Sequence, residues 1–423
     1  MKKYQKFFCL WNRIRLSLHY RTIFAPGADY IYRTYQNWQI KKIRKKTKIK
    51  VLFIVGEAST WKSEMLYQKM LEHPRFEPII GITESLHVPG SKPVLIKYLE
   101  SKRYQYVDLD NIGNSIKQIA PDIKIYYKPY ELNYKHGIYF DYNMRSLICN
   151  LSYAFNLGGD SMAFRQDIRR YSWMDFVENN TVVEAIKKSG MYYKNKIVTG
   201  MPLQDYLSLP KEYYKDPWRG AGSKKRIIYA PHHSFDGTNN GYIEYATFLE
   251  FGEFMLQMAR KYEDKVQWVF KPHPLLMRIL YEFWGEEKTN AYYREWENLS
   301  NAQVELGAYN DIFKYSDAMI HDCSSFIIEY QYTNNPVLFL ETETHTAEQM
   351  HLSRFGYAAY TAHYHASTKE QIENFIQDVI TGSDSKKKER EAFFEKYLRI
   401  PNGKTACENI MDVILGVKDN NKN

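Results

Sequence analysis

Uninterrupted apolar runs recur along this chain, separated by stretches whose apolar positions fall at helical spacing. Val51-Leu52-Phe53-Ile54-Val55 has the pattern of a strand buried on both faces. Residues 61–71 then predict a helix, 78–82 a second strand, 121–127 a third and 146–151 a fourth. Residues 173–189 predict a helix that Gly190 closes, and 196–200 a further strand. Residues 210–225 (PKEYYKDPWRGAGSKK) are rich in Pro, Gly and charge and predict a linker. The alternation resumes with strands at 226–230 and 266–270 either side of a helix at 242–261. Helices follow at 371–380, 386–397 and 402–417. Alternation of this kind predicts an α/β protein of two doubly wound domains facing a cleft. The expected division is a basic arm over 1–50, a first domain over 51–209, the linker, a second domain over 226–400, and a helix and tail over 401–423.

One βαβ unit can be read residue by residue. Ala318-Met319-Ile320 predicts a buried strand, and Asp322-Cys323-Ser324-Ser325 supplies small polar residues that cap helices. Residues 326–332 have helical spacing, with Glu329 one turn in. Asn334-Asn335 and Pro336 end that helix, and Val337-Leu338-Phe339-Leu340 is the next strand. A helix N-terminus opening at the carboxyl end of a strand suits an anion, phosphate above all. Ser324 and Ser325 add hydroxyl donors there, although the same pair would serve equally well as plain caps of a core helix.

Three strands of the second half end in chemically capable residues. One runs into Pro231-His232-His233-Ser234, one into Lys271-Pro272-His273-Pro274, and one into His321-Asp322-Cys323-Ser324-Ser325. Ligands of open parallel sheets bind where strands finish, so the three together predict a diphosphate site. Lys271 and His273 would balance its charge, the serines would hold its oxygens, and Asp322 is expected among the residues that bind this ligand. Adjacent His232 and His233 point opposite ways if extended, so one of them is expected to face the site. His321 reads equally as a satisfied core residue. No HxH or HxxxH spacing places two histidines on one face, so no metal is expected; no Walker loop or GxGxxG is present.

Charge adds one feature. Residues 1–50 hold 14 Lys/Arg against a single acidic residue, Asp29, so this arm carries +13 of a chain total of +9. Aromatic residues, among them Trp11, Tyr20, Tyr30 and Trp38, are interleaved with that charge, which predicts an arm lying on an anionic membrane surface. Beyond the arm no basic stripe extends a nucleic-acid footprint, so no nucleic-acid partner is expected. Four scattered cysteines without a CxxC pair fit a reducing cytoplasm, and no apolar run approaches the ~20 residues of a bilayer span.

KPHP (271–274), GAYNDIFKYSD (307–317) and SDAMIHDCSSFIIEY followed by NNPVLFL resemble the CDP-glycerol glycerophosphotransferases, the teichoic-acid polymerase and primase group. YAPHHSF (229–235) and GMPLQDYL (200–207) resemble two further segments of that family. The resemblance implies a GT-B fold with two Rossmann-like domains, the first (51–209) for the acceptor and the second (226–400) holding most of the nucleotide donor. It implies a CDP-linked donor, no cofactor, and a lipid-linked or polymeric acceptor at the inner face of the cell membrane. It further implies His273 as the histidine contacting the donor diphosphate, Ser324 and Ser325 as phosphate ligands, and Glu329 near the nucleotide sugar. The family's Trp-His-Gly signature is missing: LSYAFNLGGD (151–160) has no histidine, which leaves His136 and Asp160 as candidate bases. His232 or His233 stands in for the family's arginine. A nucleotide-sugar glycosyltransferase of the same fold, or a non-catalytic component of capsule assembly, are the alternative readings. The sequence leaves a homo-oligomer open.

Overall fold

The computed structural model describes residues 25–86, 88–111, 116–128, 145–158, 166–220, 222–235, 246–307, 309–342 and 350–417. They form two compact α/β units. Among the described residues, the first unit takes 25–154, 166–206 and 400–417, and the second takes 155–158 and 207–399.

The first unit is built on seven parallel strands: β1 (Ile49–Val55), β2 (Phe76–Ile82), β3 (Tyr106–Asp108), β4 (Ile123–Tyr126), β5 (Leu147–Leu151), β6 (Met174–Val177) and β7 (Lys196–Val198). Their order is β3-β2-β1-β4-β5-β6-β7. The apolar runs behave as their composition requires, and Val51 to Val55 are all buried. Residues 173–189 depart from the expected single helix: strand β6 comes first and the helix is Asn180–Lys188. Asp175 hides the strand, being a charged residue with no solvent exposure inside a sheet. Arg169 (Nε to Oδ2, 2.9 Å), Lys196 (Nζ to Oδ2, 3.1 Å) and Asn150 (Nδ2 to Oδ1, 2.8 Å) compensate it. Asn179 then caps the helix, its side chain accepting the Val182 amide.

The second unit has six parallel strands: β8 (Lys225–Ala230), β9 (Val266–Phe270), β10 (Ala302–Val304), β11 (Ala318–His321), β12 (Val337–Leu340) and β13 (Tyr364–Ala366), in the order β10-β9-β8-β11-β12-β13. Its core is aromatic; Phe270 stacks on Trp296 at 5.2 Å. Residues 210–225, expected as a linker, pack largely on this unit. Trp218 is buried and donates its indole N–H to Ile312 O, and Gln303 bonds the chain at Pro217 and Arg219.

Two expected boundaries move. The described part of the arm belongs to the first unit: helix Ala25–Ile43 buries Gln36, Gln39, Ile40 and Ile43, Arg33 donates to the carbonyls of Ser172 and Arg170, and Ile49 already opens β1. The chain also returns to the first unit after Arg399. Helix Ala406–Leu415 buries Cys407, Ile410 and Ile414 in the same cluster as Ile49 and Val51. Asp205 accepts the first amides of that helix, from Ala406 (2.7 Å) and Cys407 (2.8 Å), while Arg44 takes the carbonyls of Val413 and Ile414 at its other end.

Candidate active site at the strand ends of the second sheet

Strands β9, β8 and β11 are neighbours, and they finish level: Tyr229 lies opposite Phe270, and Ala230 opposite His321. The three polar strand ends therefore emerge side by side, as the sequence predicted. What the sequence spacing concealed is a cluster of imidazoles. His232, His233 and His273 come from two adjacent loops, with ring centroids 4.3 Å apart for His232–His233, 4.8 Å for His232–His273 and 4.0 Å for His233–His273.

Backbone amides set the tautomers. Leu275 N–H donates to His273 Nδ1 (3.1 Å), and Ser234 N–H to His232 Nδ1 (3.3 Å). In these two rings, when neutral, the proton therefore sits on Nε2, which becomes a donor. The Nδ1 of His233 is buried and has no hydrogen-bond partner among the described residues, so its tautomer is not set in this way. The three nitrogens lie within 4.8 Å of one another, close enough to suggest a cation site. An Nε2 ligand would need its proton moved to Nδ1, against an N–H already pointing there, so the donor set fits an anion better than a metal. Burial pushes all three imidazoles below their ordinary pKa: His273 to about 3, His233 to about 4 with the Arg278 guanidinium adding to it, and His232 well down as well. At neutral pH the cluster is a set of uncharged donors. Lys271 beside it is buried, its ammonium 6.0 Å from the Tyr309 ring centre.

Asp322 is fully buried, and its carboxylate is taken by the protein. Oδ1 accepts the His232 amide (2.5 Å); Oδ2 accepts the Thr247 amide (2.6 Å) and hydroxyl (2.9 Å). Expected as a donor ligand, it instead ties the β11 end to the His232 loop and to the start of helix Phe248–Lys261. Burial raises its carboxyl pKa to about 6 despite those bonds. His321 is a core residue: its Nδ1 meets the Cys323 backbone, and its ring packs against Phe339 at 5.3 Å.

Ser324 and Ser325 are half-buried at the turn after β11. The helix there is shorter than expected, Phe326–Glu329 passing into a 3-10 turn Tyr330–Thr333 that ends on Asn334 with φ 57°. Ser325 occupies the cap position without a side-chain capping bond. Glu329 is buried and accepts the Tyr309 hydroxyl (2.5 Å), which holds the phenol well above its usual pKa on top of the effect of burial. Sequence reasoning did not single out Tyr309, Thr247 or Arg278. Tyr309 lies in the GAYNDIFKYSD segment, but nothing in its spacing marks that tyrosine. His136 and Asp160 lie outside the described residues.

Among solved structures, a variant of the wall teichoic acid polymerase TagF matches with a TM-score of 0.60 and 16% identity over 98% of this chain and 97% of that one. A TagF variant soaked with CDPG matches at 0.58 and 15%, again over 98% and 97%. A putative UDP-N-acetylglucosamine 2-epimerase from Listeria monocytogenes matches at 0.56 and 16%, over 87% and 96%. At such identities the likeness is one of fold: two Rossmann-like α/β domains of the GT-B class. No curated protein matches the sequence. The profile of the CDP-glycerol:poly(glycerophosphate) glycerophosphotransferases matches residues 155–416, which contain every strand end described above. This chain belongs to that family.

Proposed function

We propose that the protein transfers glycerol phosphate from CDP-glycerol to a hydroxyl of a lipid-linked or growing cell-surface polymer of the teichoic acid type. The observation that carries this reading is the level convergence of β8, β9 and β11 on a cluster of imidazoles, two of which, His232 and His273, are fixed as Nε2–H donors. The donor diphosphate lies against His273, the His232–His233 pair and Lys271, with the hydroxyls of Ser324 and Ser325 on its oxygens. Glu329, held by Tyr309, stands near the sugar. The acceptor oxygen attacks the glycerol-bearing phosphorus; a P–O bond forms, the bond to the CMP oxygen breaks, and CMP leaves. The acceptor proton passes to a base, for which His136 and Asp160 are the candidates. The imidazole donors stabilise charge growing on the departing CMP, and because they are neutral and already oriented they need little reorganisation.

Purified protein incubated with CDP-glycerol and, separately, with UDP- and CMP-sugars tests the reading. CMP released from CDP-glycerol, together with a lengthened acceptor, is the expected result. Turnover of a nucleotide sugar in its place would favour a glycosyltransferase.

Attachment to an anionic membrane is part of the same proposal. Lys41, Lys42, Lys45 and Lys48 are exposed where the first helix runs into β1. Among the described residues no helix is long and apolar enough to cross a membrane. Glutamate at all four positions is expected to reduce flotation with anionic liposomes while leaving CDP-glycerol turnover in solution intact.

A further inference from the structure

The first sheet carries a pocket of its own, lined chiefly by Gly56, Glu57, Thr60, Ser85, Tyr127 and Lys128. It lies where the strand order reverses, with β2 and β3 on one side of β1 and β4 to β7 on the other. Open parallel sheets take ligands at the carboxyl ends there. The residues following β1, β2 and β4 reach it level, since Val55 lies opposite Ile82 and Phe53 opposite Ile125.

Glu57 is 6% exposed and Lys128 9%. Both the Lys128 ammonium and the Ser85 hydroxyl bond to Glu57 Oε1. Thr60 Oγ1 donates to the Glu57 carbonyl (3.2 Å), which steadies the turn. Among the described residues Glu57 Oε2 takes no hydrogen bond, although the side chain lines the pocket. That oxygen is not sealed from solvent, so it is open to a donor that enters the pocket. Lys128 already balances the charge, so the missing donor is neutral, and the carboxylate itself repels a phosphate. A hydroxyl meets both conditions.

We infer that this pocket binds a hydroxyl at the polyol end of the acceptor, with Glu57 Oε2 accepting its hydrogen bond. The inference rests on the transferase reading above and adds a place for the second substrate.

The test uses full-length protein, CDP-glycerol and a synthetic glycerol phosphate oligomer as soluble acceptor, and compares wild type with Glu57→Gln and Gly56→Ala. Glu57→Gln weakens the acceptor oxygen. Gly56→Ala narrows the pocket, its new methyl meeting Ser85 Cβ at 3.5 Å, an ordinary contact. In both variants the KM for the oligomer is expected to rise about tenfold, while the KM for CDP-glycerol stays within about twofold. An unchanged oligomer KM in folded Glu57→Gln overturns the inference, as does a parallel rise in both KM values, which marks a structural role. Should Glu57→Gln fail to fold, Gly56→Ala decides by the same criteria. If wild type releases no CMP from CDP-glycerol, the transferase reading fails and this inference falls with it.

Discussion

At the carboxyl ends of the first sheet a buried carboxylate, Glu57, is matched by a buried ammonium, Lys128. At the same level of the second sheet three imidazoles crowd together, and burial keeps them uncharged at neutral pH. The first arrangement is stable as long as both partners are present. The second needs no counter-ion, because burial holds its rings neutral, and under the function proposed above it meets a ligand that brings its own charge. Related folds thus prepare a polar site in two ways, by neutralising charge in place or by withholding it until the ligand arrives.

Removing one member of the ion pair should separate the two regions most sharply. Lys128→Met leaves Glu57 buried and uncompensated, with an expected loss of about 3–5 kcal/mol. Adding Glu57→Gln to that variant should recover most of it, as urea unfolding would show. In the second sheet the largest effect is expected on rate. His273→Ala should cut transfer on the order of a hundredfold, and its stability should change by less than ~1 kcal/mol, since the one amide it frees, that of exposed Leu275, can turn to water. A stability loss as large as that of Lys128→Met would erase the contrast. Asp322→Asn replaces one accepting oxygen by a donor facing an N–H, at an expected cost of about 1–3 kcal/mol. It should also raise the KM for CDP-glycerol, because the His232 amide is no longer held.

The smallest expected effect lies in pH dependence. The folded pKa values of His233 and His273 fall below 6.5, to about 4 and about 3. On acidification the unfolded chain therefore takes up protons first. The contribution of these two rings to stability is complete above pH 6.5 and is lost progressively as pH falls from 6.5 towards 4 for His233 and 3 for His273. Asp322, whose raised carboxyl pKa of about 6 acts the other way, partly offsets that loss. His233→Asn should flatten the fall in denaturant midpoint between pH 7 and 5, by under about 1 kcal/mol given the partial exposure of the ring.

The two regions also differ in how far they were legible. Strand β12 is a continuous apolar run, β1 holds one from Val51 to Val55, and β9 is interrupted only by Gln267. All three read directly, because strands of a parallel sheet are covered on both faces. Strand β6 did not read as one, since its charge is cancelled by Arg169 and Lys196 from outside its own segment. The three strand ends of the second sheet were visible as polar residues after apolar runs. The imidazole cluster was not, because β8–β9 pairing, rather than spacing, brings His273 to His232 and His233. Asp322 was read as a ligand for the same reason: its partners, His232 N and Thr247, lie far away in sequence. Neither Glu57 nor Lys128 was singled out, each being an ordinary charged residue after a strand until the sheet sets them together.

The return of residues 400–417 to the first unit has a consequence for synthesis. The helix that shares a hydrophobic core with Ile49 and Val51 leaves the ribosome after the second unit has been made. Until then the first sheet waits with part of its apolar core incomplete, a natural target for chaperones. A truncation within helix Ala406–Leu415 would therefore be felt in the first sheet, far from it in sequence.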